Sequence, residues 1–146
     1  SVPALFTKLE RLLQAEPRSE RVVYCDGKVD RSTGKELQVY GDANLLTLAL
    51  INLIRNALRA IEGQEDGIVR VDTCAGATGH LLITITDNGP GIPPERLSAI
   101  FTPFFSTKSG GSGIGLPISQ RIMQLHGGQL SVSSIPNVRT EFRMEF

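Results

Sequence analysis

Asn52, Arg55, Asn56 and Arg59 share one face of an otherwise apolar helical pattern, because residues three, four and seven apart lie on the same side of an α-helix. Asparagine competes with the helical backbone for hydrogen bonds, so two in mid-helix want a reason. On spacing alone, the solvated face of an amphipathic helix is the commoner reason. Beside a triphosphate the stripe has another use. Mg²⁺ keeps several waters and takes only one or two protein oxygens next to phosphates; a neutral amide oxygen supplies one without adding charge. Arginine guanidinium groups suit the phosphate oxygens themselves.

Asp87 is the second candidate. It ends a strand-like run and is followed by Asn88-Gly89-Pro90-Gly91. These are ordinary tight-turn residues, but a carboxylate at a strand end, with two glycines opening space beside it, also makes a binding group. An ionised aspartate only accepts hydrogen bonds. It therefore suits the exocyclic amino group of adenine and disfavours the carbonyl of guanine.

A second glycine cluster, Gly110, Gly111, Gly113 and Gly115, runs straight into a helical pattern. Its amides and a helix N-terminus can face a phosphate together. It is not a P-loop, because no Lys-Ser/Thr follows the glycines. Nor does it follow a strand, as a dinucleotide fingerprint would. Between the clusters, Phe101, Phe104 and Phe105 hold half of the chain's six phenylalanines and suit anchoring a loop to the core. Lys108, just beyond them, is within reach of a phosphate. The run from Asp87 to Leu116 thus reads as a nucleotide site that does phosphoryl chemistry.

Several elements must position these groups. Pro3 to Ala15 is an amphipathic helix with Leu5, Leu9, Leu12 and Leu13 at helical spacing, ended by Pro17. Arg21–Cys25 and Glu36–Tyr40 are strand-like, with a polar loop between them. Asp42, a good N-cap, opens the longest helix, which runs to about Ile61 and buries Leu46, Leu50, Leu53, Ile54, Ala57 and Ile61. Ile68–Cys74 and Leu81–Thr86 alternate about Ala75–Gly79 as a hairpin. Ile114, Ile118, Ile122 and Leu125 trace another core helix, stopped by Gly127-Gly128. Strands Leu130–Ser134 and Thr140–Phe146 close the chain around Pro136-Asn137. The fold class is α+β: a two-layer α/β sandwich, with a mixed, mostly antiparallel sheet and helices on one face.

Composition narrows the partners. The 146 residues suit one domain with a real core, and 15 basic residues balance 15 acidic ones. No global field argues for nucleic acid or a membrane surface. Cys25 and Cys74 have neither metal-ligand nor redox spacing and read as reduced thiols. No apolar run approaches the ~20 residues needed to span a bilayer, and no signal peptide is visible. The start at Ser1, entering a helix at once, is what an excised piece of a longer parent would show.

In order and spacing, these motifs resemble the catalytic ATP-binding domain of two-component sensor histidine kinases, within the wider family shared with gyrase, Hsp90 and MutL. NLIRNALRAI (residues 52–61) is similar to the N box and DNGPGI (87–92) to the first glycine box. FTPFFSTK (101–108) is similar to the F box, GSGIGLPIS (111–119) to the second glycine box, and HGGQLSVSS (126–134) to the segment after the last helix. The likeness covers about residues 40–146, and the form of the N box is similar to nitrogen-regulation-type kinases. The resemblance implies the Bergerat ATP-binding fold and Mg-ATP as the bound nucleotide.

It further implies that Asn56 ligates Mg²⁺, that Asn52 lines the phosphates, and that Asp87 binds the adenine amino group. Gly89, Gly91 and Ile92 would shape the adenine pocket. Gly111, Ser112, Gly113, Ile114, Gly115 and Leu116 would approach the phosphates, and Phe101, Thr107 and Lys108 would flank the nucleotide. Arg59 stands where relatives often carry a basic residue, and with Asn52, Asn56 and Lys108 makes up the implied catalytic set. The segment from about Pro93 to Ser112 corresponds to a mobile lid. In the ATPase relatives a glutamate base stands where this chain has Asn52, so a poor ATPase is implied.

The last turn departs from the family's Gly-x-Gly-Thr pattern. It reads Pro136-Asn137-Val138-Arg139-Thr140, keeping the threonine expected to reach adenine through water but neither glycine. The chain's two histidines, His80 and His126, lack the context of a phosphoacceptor. Residues 1–146 are therefore expected to be a single catalytic domain without its dimerisation and phosphoacceptor domain. That domain of the same parent would be the direct partner and a response regulator the indirect one, with no nucleic acid and no direct membrane contact. The expected location is cytoplasmic, compatible with a parent anchored in the inner membrane. A serine kinase of the same fold, of the anti-sigma-factor type, and a nucleotide-binding switch without transfer activity are the alternatives.

Overall fold

The computed structural model describes residues 1–25, 30–31, 33–76, 80–102 and 115–146. Helix α1 (Val2–Leu13) opens on Ser1, whose hydroxyl accepts from the Ala4 amide, and buries Val2, Leu5, Phe6, Leu9 and Leu13. After a short 3₁₀ turn (Ser19–Arg21) and strand β1 (Val22–Cys25) comes helix α2 (Ala43–Ala60). Asp42 caps it as expected: Oδ1 accepts from the amides of Asn44 at 2.8 Å and Leu45 at 3.0 Å. These are two of the amides that a helix start leaves without a partner. The expected buried face of α2 is intact, with Leu50, Leu53 and Ile54 wholly inaccessible to solvent. Each such side chain contributes roughly 1.5–3 kcal/mol by leaving water.

Strands β2 (Val69–Ala75), β3 (Leu81–Asp87), β4 (Gln129–Ile135) and β5 (Arg139–Glu145) complete a five-stranded sheet in the order β1-β2-β3-β5-β4. Only β1–β2 is parallel; the other three pairs are antiparallel. The central strand β3 alternates strictly between buried and half-buried positions. That period is what a sheet with helices on one face imposes. Helix α4 (Gly115–Leu125) runs antiparallel to α2: Gly115 lies by Asn52, Ser119 bonds to Ala49, and His126 reaches Asp42.

Three expectations are corrected. Glu36–Tyr40 is not a sheet strand; Glu36 makes only an isolated bridge, and the Leu37 carbonyl accepts from Val2 N at 2.9 Å. The segment serves the start of α1, with Leu37 buried against the core. In α4 the core residues are Ser119, Ile122 and Met123, while Ile118 and Leu125 are exposed. The reason is close helix packing: the small Ser119 meets the Ala49 carbonyl, turning the larger neighbours outward. A short helix, α3 (Pro94–Leu97), forms where the sequence shows no apolar period.

Candidate functional site

The alternation of β3 puts Leu81, Ile83, Ile85 and Asp87 on the helix-facing side. An apolar row therefore ends in a carboxylate that is only 3 % exposed. Burying such a group is costly unless it is hydrogen-bonded, and Gly89 N donates to Asp87 Oδ1 at 2.9 Å. Directly across from Asp87 on β5 is Thr140, also buried at 4 % exposure. Register partners share a face of the sheet, so a carboxylate and a hydroxyl stand side by side at the end of the sheet.

The first glycine box is held on three sides. A Cβ on Gly89 would come 2.8 Å from Asp87 Oδ1 and 2.9 Å from the Ala60 carbonyl, so the carboxylate and the end of α2 close on that position. Gly91 has φ +77°, and its Cβ would meet the Ile135 carbonyl at 2.8 Å. Both its backbone and its surroundings require glycine. Asn88 fastens the box to the loop after α2: it donates to Asp66 O at 2.8 Å and accepts from Ile68 N at 2.8 Å, while Gln64 Nε2 reaches its carbonyl at 2.9 Å. The turn between β4 and β5 completes the clamp through Asn137 N to Pro90 O at 2.7 Å and Ile92 N to Ser134 Oγ at 2.7 Å.

Helix α2 brings the polar stripe to the same end of the sheet. Ala60, one turn beyond Asn56, touches Gly89, so the stripe runs away from Asp87 along the helix. Asn52 and Asn56 are half-buried. The start of α4 lies against Asn52, with the Gly115 Cβ position 3.7 Å from Asn52 Cγ. Two contacts fix α4 there. Ser119 Oγ is 3.3 Å from the Ala49 carbonyl and 3.0 Å from that of Gly115. At the far end His126 Nε2 accepts from Asp42 N at 3.0 Å, so its Nδ1 carries the proton shared with Ile122 O at 2.7 Å.

Arg55 departs from its expected use on a phosphate. Its Nε donates to Glu16 Oε1 at 2.7 Å and its Nη2 pairs with the same oxygen, tying α2 to the chain after α1. Arg59 is exposed and borders a cleft of about 320 Å³ shared with Glu16, Pro17, Arg18, Arg55 and Leu58, on the flank of α2 away from Asp87. Ile92, Phe101 and Leu116 are partly buried against the core. Thr107, Lys108, Gly111, Ser112, Gly113 and Ile114 lie outside the described residues. Sequence reasoning missed Asn88 as more than a turn residue, and it missed Ser134 altogether. A serine inside a strand carries no signal of its own until the register shows what stands opposite.

Comparison with known proteins shows the family. The family described as histidine kinase-, DNA gyrase B-, and HSP90-like ATPase matches residues 41–146. The sensor histidine kinase ZraS of Salmonella typhimurium is 44 % identical over 98 residues, covering 67 % of this chain and 21 % of ZraS. The sensory histidine kinase/phosphatase NtrB of Vibrio alginolyticus is 34 % identical over 145 residues, covering 93 % of this chain and 40 % of NtrB. The chain thus spans a fifth to two fifths of the length of these relatives. Among solved structures, the catalytic domain of histidine kinase ThkA superposes with a TM-score of 0.78 at 28 % identity, covering 99 % of this chain and 90 % of that one. With family match, relatives and fold in agreement, the chain belongs to the histidine kinase-, DNA gyrase B- and HSP90-like ATPase family, on its histidine kinase branch.

Proposed function

We propose that the chain is the ATP-binding catalytic domain of a sensor histidine kinase, transferring the γ-phosphoryl of Mg-ATP to a histidine on a separate dimerisation and phosphoacceptor domain. The observation that carries this reading is the buried Asp87 carboxylate beside the end of α2, a helix that bears Asn56 and Asn52 further along. One end has the chemistry for adenine and the other for phosphates. Asp87 accepts from the exocyclic amino group, and Gly89 and Gly91 leave the backbone bare beside the base. Asn56 would hold Mg²⁺, which when bound neutralises charge on the phosphates. Asn52 lines the phosphate end, beside the start of α4 at Gly115, and Lys108 and the second glycine box are the sequence's further candidates for the phosphates. The protein's contribution is positioning and electrostatic stabilisation of a transfer that needs little covalent chemistry.

Asn52 has a second consequence. An amide is not basic near neutral pH, so no general base stands one helical turn before Asn56 to activate water. A base of that kind contributes ~10²–10⁴-fold; without it ATP persists until the acceptor imidazole arrives. The acceptor would come from another domain of the same parent, with a response regulator downstream. Docking of that domain is supported by apolar side chains left exposed on two helices packed against each other: Leu45 and Leu48 on α2, Ile118 and Leu125 on α4. No helix among the described residues is long and apolar enough to cross a membrane, and the reading assigns this domain to the cytoplasm. The test is incubation with γ-labelled ATP, alone and with the histidine-bearing helical domain of the parent. Label should appear on that domain alone, stable to base and labile to acid. Label on His80 or His126 without the partner would overturn the reading.

A further inference from the structure

Ser134 belongs to none of the nucleotide motifs, yet its hydroxyl stands at a junction. It lies 2.7 Å from Ile92 N, 3.0 Å from Arg139 O and 3.2 Å from Thr140 Oγ1. A serine hydroxyl has one proton to give and two lone pairs to receive with. The Arg139 carbonyl can only accept, so it takes the proton. The Ile92 amide can only donate, so it fills one lone pair. The remaining lone pair faces Thr140, whose hydroxyl must therefore donate to Ser134. All three capacities of Ser134 are used, and the direction of every bond is fixed.

This assignment has a consequence one strand away. With its proton committed to Ser134, Thr140 has only acceptor lone pairs left for a ligand. Its register partner Asp87, when ionised, is likewise acceptor-only. We propose that Ser134 is a specificity-determining positioning residue: it orients the Thr140 hydroxyl so that the floor of the base pocket presents acceptors alone. Such a floor selects a 6-amino purine and rejects a 6-oxo purine, whose carbonyl would meet acceptors with no proton between them. The proposal rests on the assignment of Asp87 to the adenine base. It adds a residue that acts through Thr140 and, by accepting from Ile92 N, also fastens the glycine box beside Asp87.

The test compares Mg-ATP with Mg-ITP, its 6-oxo counterpart without the guanine amino group, by calorimetric titration of the 146-residue chain. Wild type should prefer ATP. Ser134→Ala frees the Thr140 proton to turn toward a 6-oxo group, and the preference should shrink about 3–10-fold, the scale of one neutral hydrogen bond. Thr140→Val, nearly isosteric, removes the same hydroxyl and should shrink it similarly. In the Thr140→Val background, Ser134→Ala should have little further effect, because its route to the base is already cut. An unchanged ATP/ITP ratio in Ser134→Ala, with wild-type melting, overturns the proposal; so does an equal loss in both backgrounds. Should Ser134→Ala not fold, an unchanged ratio in Thr140→Val overturns it. Asp87→Asn separates the two levels. If it abolishes the preference while both hydroxyl variants keep theirs, only the role of Ser134 fails. If it leaves both affinities unchanged, the base-site reading fails with it.

Discussion

Adding one methyl group at Gly89 tests how the carboxylate is held. In Gly89→Ala the new Cβ would stand 2.8 Å from Asp87 Oδ1 and 2.9 Å from the Ala60 carbonyl. Even weak C–H···O contacts are seldom shorter than about 3.3 Å, so something must move by roughly half an ångström. The Ala60 carbonyl belongs to the last residue of α2 and is costly to shift; the Asp87 side chain yields first. Gly89 is not among the described residues with positive φ, so no backbone strain contributes. Overpacking costs about 1–3 kcal/mol. Turning Asp87 away relieves part of it but sacrifices the bond from Gly89 N, about 1.5–3 kcal/mol for a charged acceptor. Since one cost replaces the other, the net destabilisation expected is about 2–3 kcal/mol, or roughly 4–12 °C in melting temperature for a domain near this size. The same rotation spoils the acceptor for the base, so ATP affinity should fall at least about tenfold. Gly63→Ala is the control. Gly63 has φ +79° with nothing within 4 Å of its Cβ position, so it carries only the left-handed penalty of about 1–2 kcal/mol and should bind ATP normally. Thermal melting and calorimetric titration of both variants decide the matter. Wild-type ATP affinity in a folded Gly89→Ala protein would refute the idea that this glycine sets the position of Asp87.

Asp87→Asn, which keeps the shape but turns half of the acceptor into a donor, should weaken ATP binding about 10–100-fold and narrow its preference over GTP, read by titrating both nucleotides. Phosphate release by the wild-type chain with Mg-ATP should stay well below ~1 s⁻¹, the lower end of kinase turnover; faster release would mean that a general base elsewhere in the site activates water. At alkaline pH, Tyr24 should mark a loss of stability. Burial, with the charge of Glu10 adding, pushes its phenol up to about 12. A raised value favours the folded state below the ordinary phenol range near 10 and loses that support as pH climbs to about 12, and Tyr24→Phe should abolish this dependence in denaturant titrations. On the acid side the sign reverses. Hydrogen bonds from Leu45 and Asn44 hold the Asp42 carboxyl below its usual range, so its contribution is present above about pH 4 and fades as pH falls further; Asp42→Asn should flatten that limb of the stability curve.

Long, periodic elements were legible from residue types alone. The buried face of α2 and the alternation of β3 follow from periods of 3.6 and 2 that only one environment satisfies. Glu36–Tyr40 misled because alternation shows that a segment is extended and half-buried, not that another strand lies beside it. Its partner is the start of α1, through the Leu37 carbonyl. In α4, Ile118 and Leu125 looked like core because large apolar residues usually are, but helix approach is set by the smallest residues at a crossing. Ser119 against Ala49 brings the two backbones together, and the large side chains turn to the other side. That same rotation leaves apolar surface exposed on α4, so the misread face is also where a partner domain is proposed to dock.

The last turn shows why a motif can lose its glycines and keep its threonine. A Gly-x-Gly turn supplies positive φ, and here Asn137 takes that conformation, with φ 63°; asparagine is among the few non-glycine residues that tolerate it. Its amide then docks on Pro90 O at 2.7 Å, joining the turn to the first glycine box by a backbone contact. What the site needs from the turn is a register, not a glycine. Asp87 opposite Thr140, and Thr140 opposite Ser134, place three side chains in one row across β3, β5 and β4. A slip of one residue would send Thr140 to the opposite face of the sheet, leaving Asp87 beside Arg139 or Glu141. The register is pinned by buried Phe142 and Met144, which can face the core only when Thr140 does. The chemistry at the end of the sheet is therefore set by packing in its middle, and the turn is free to change wherever it preserves the count.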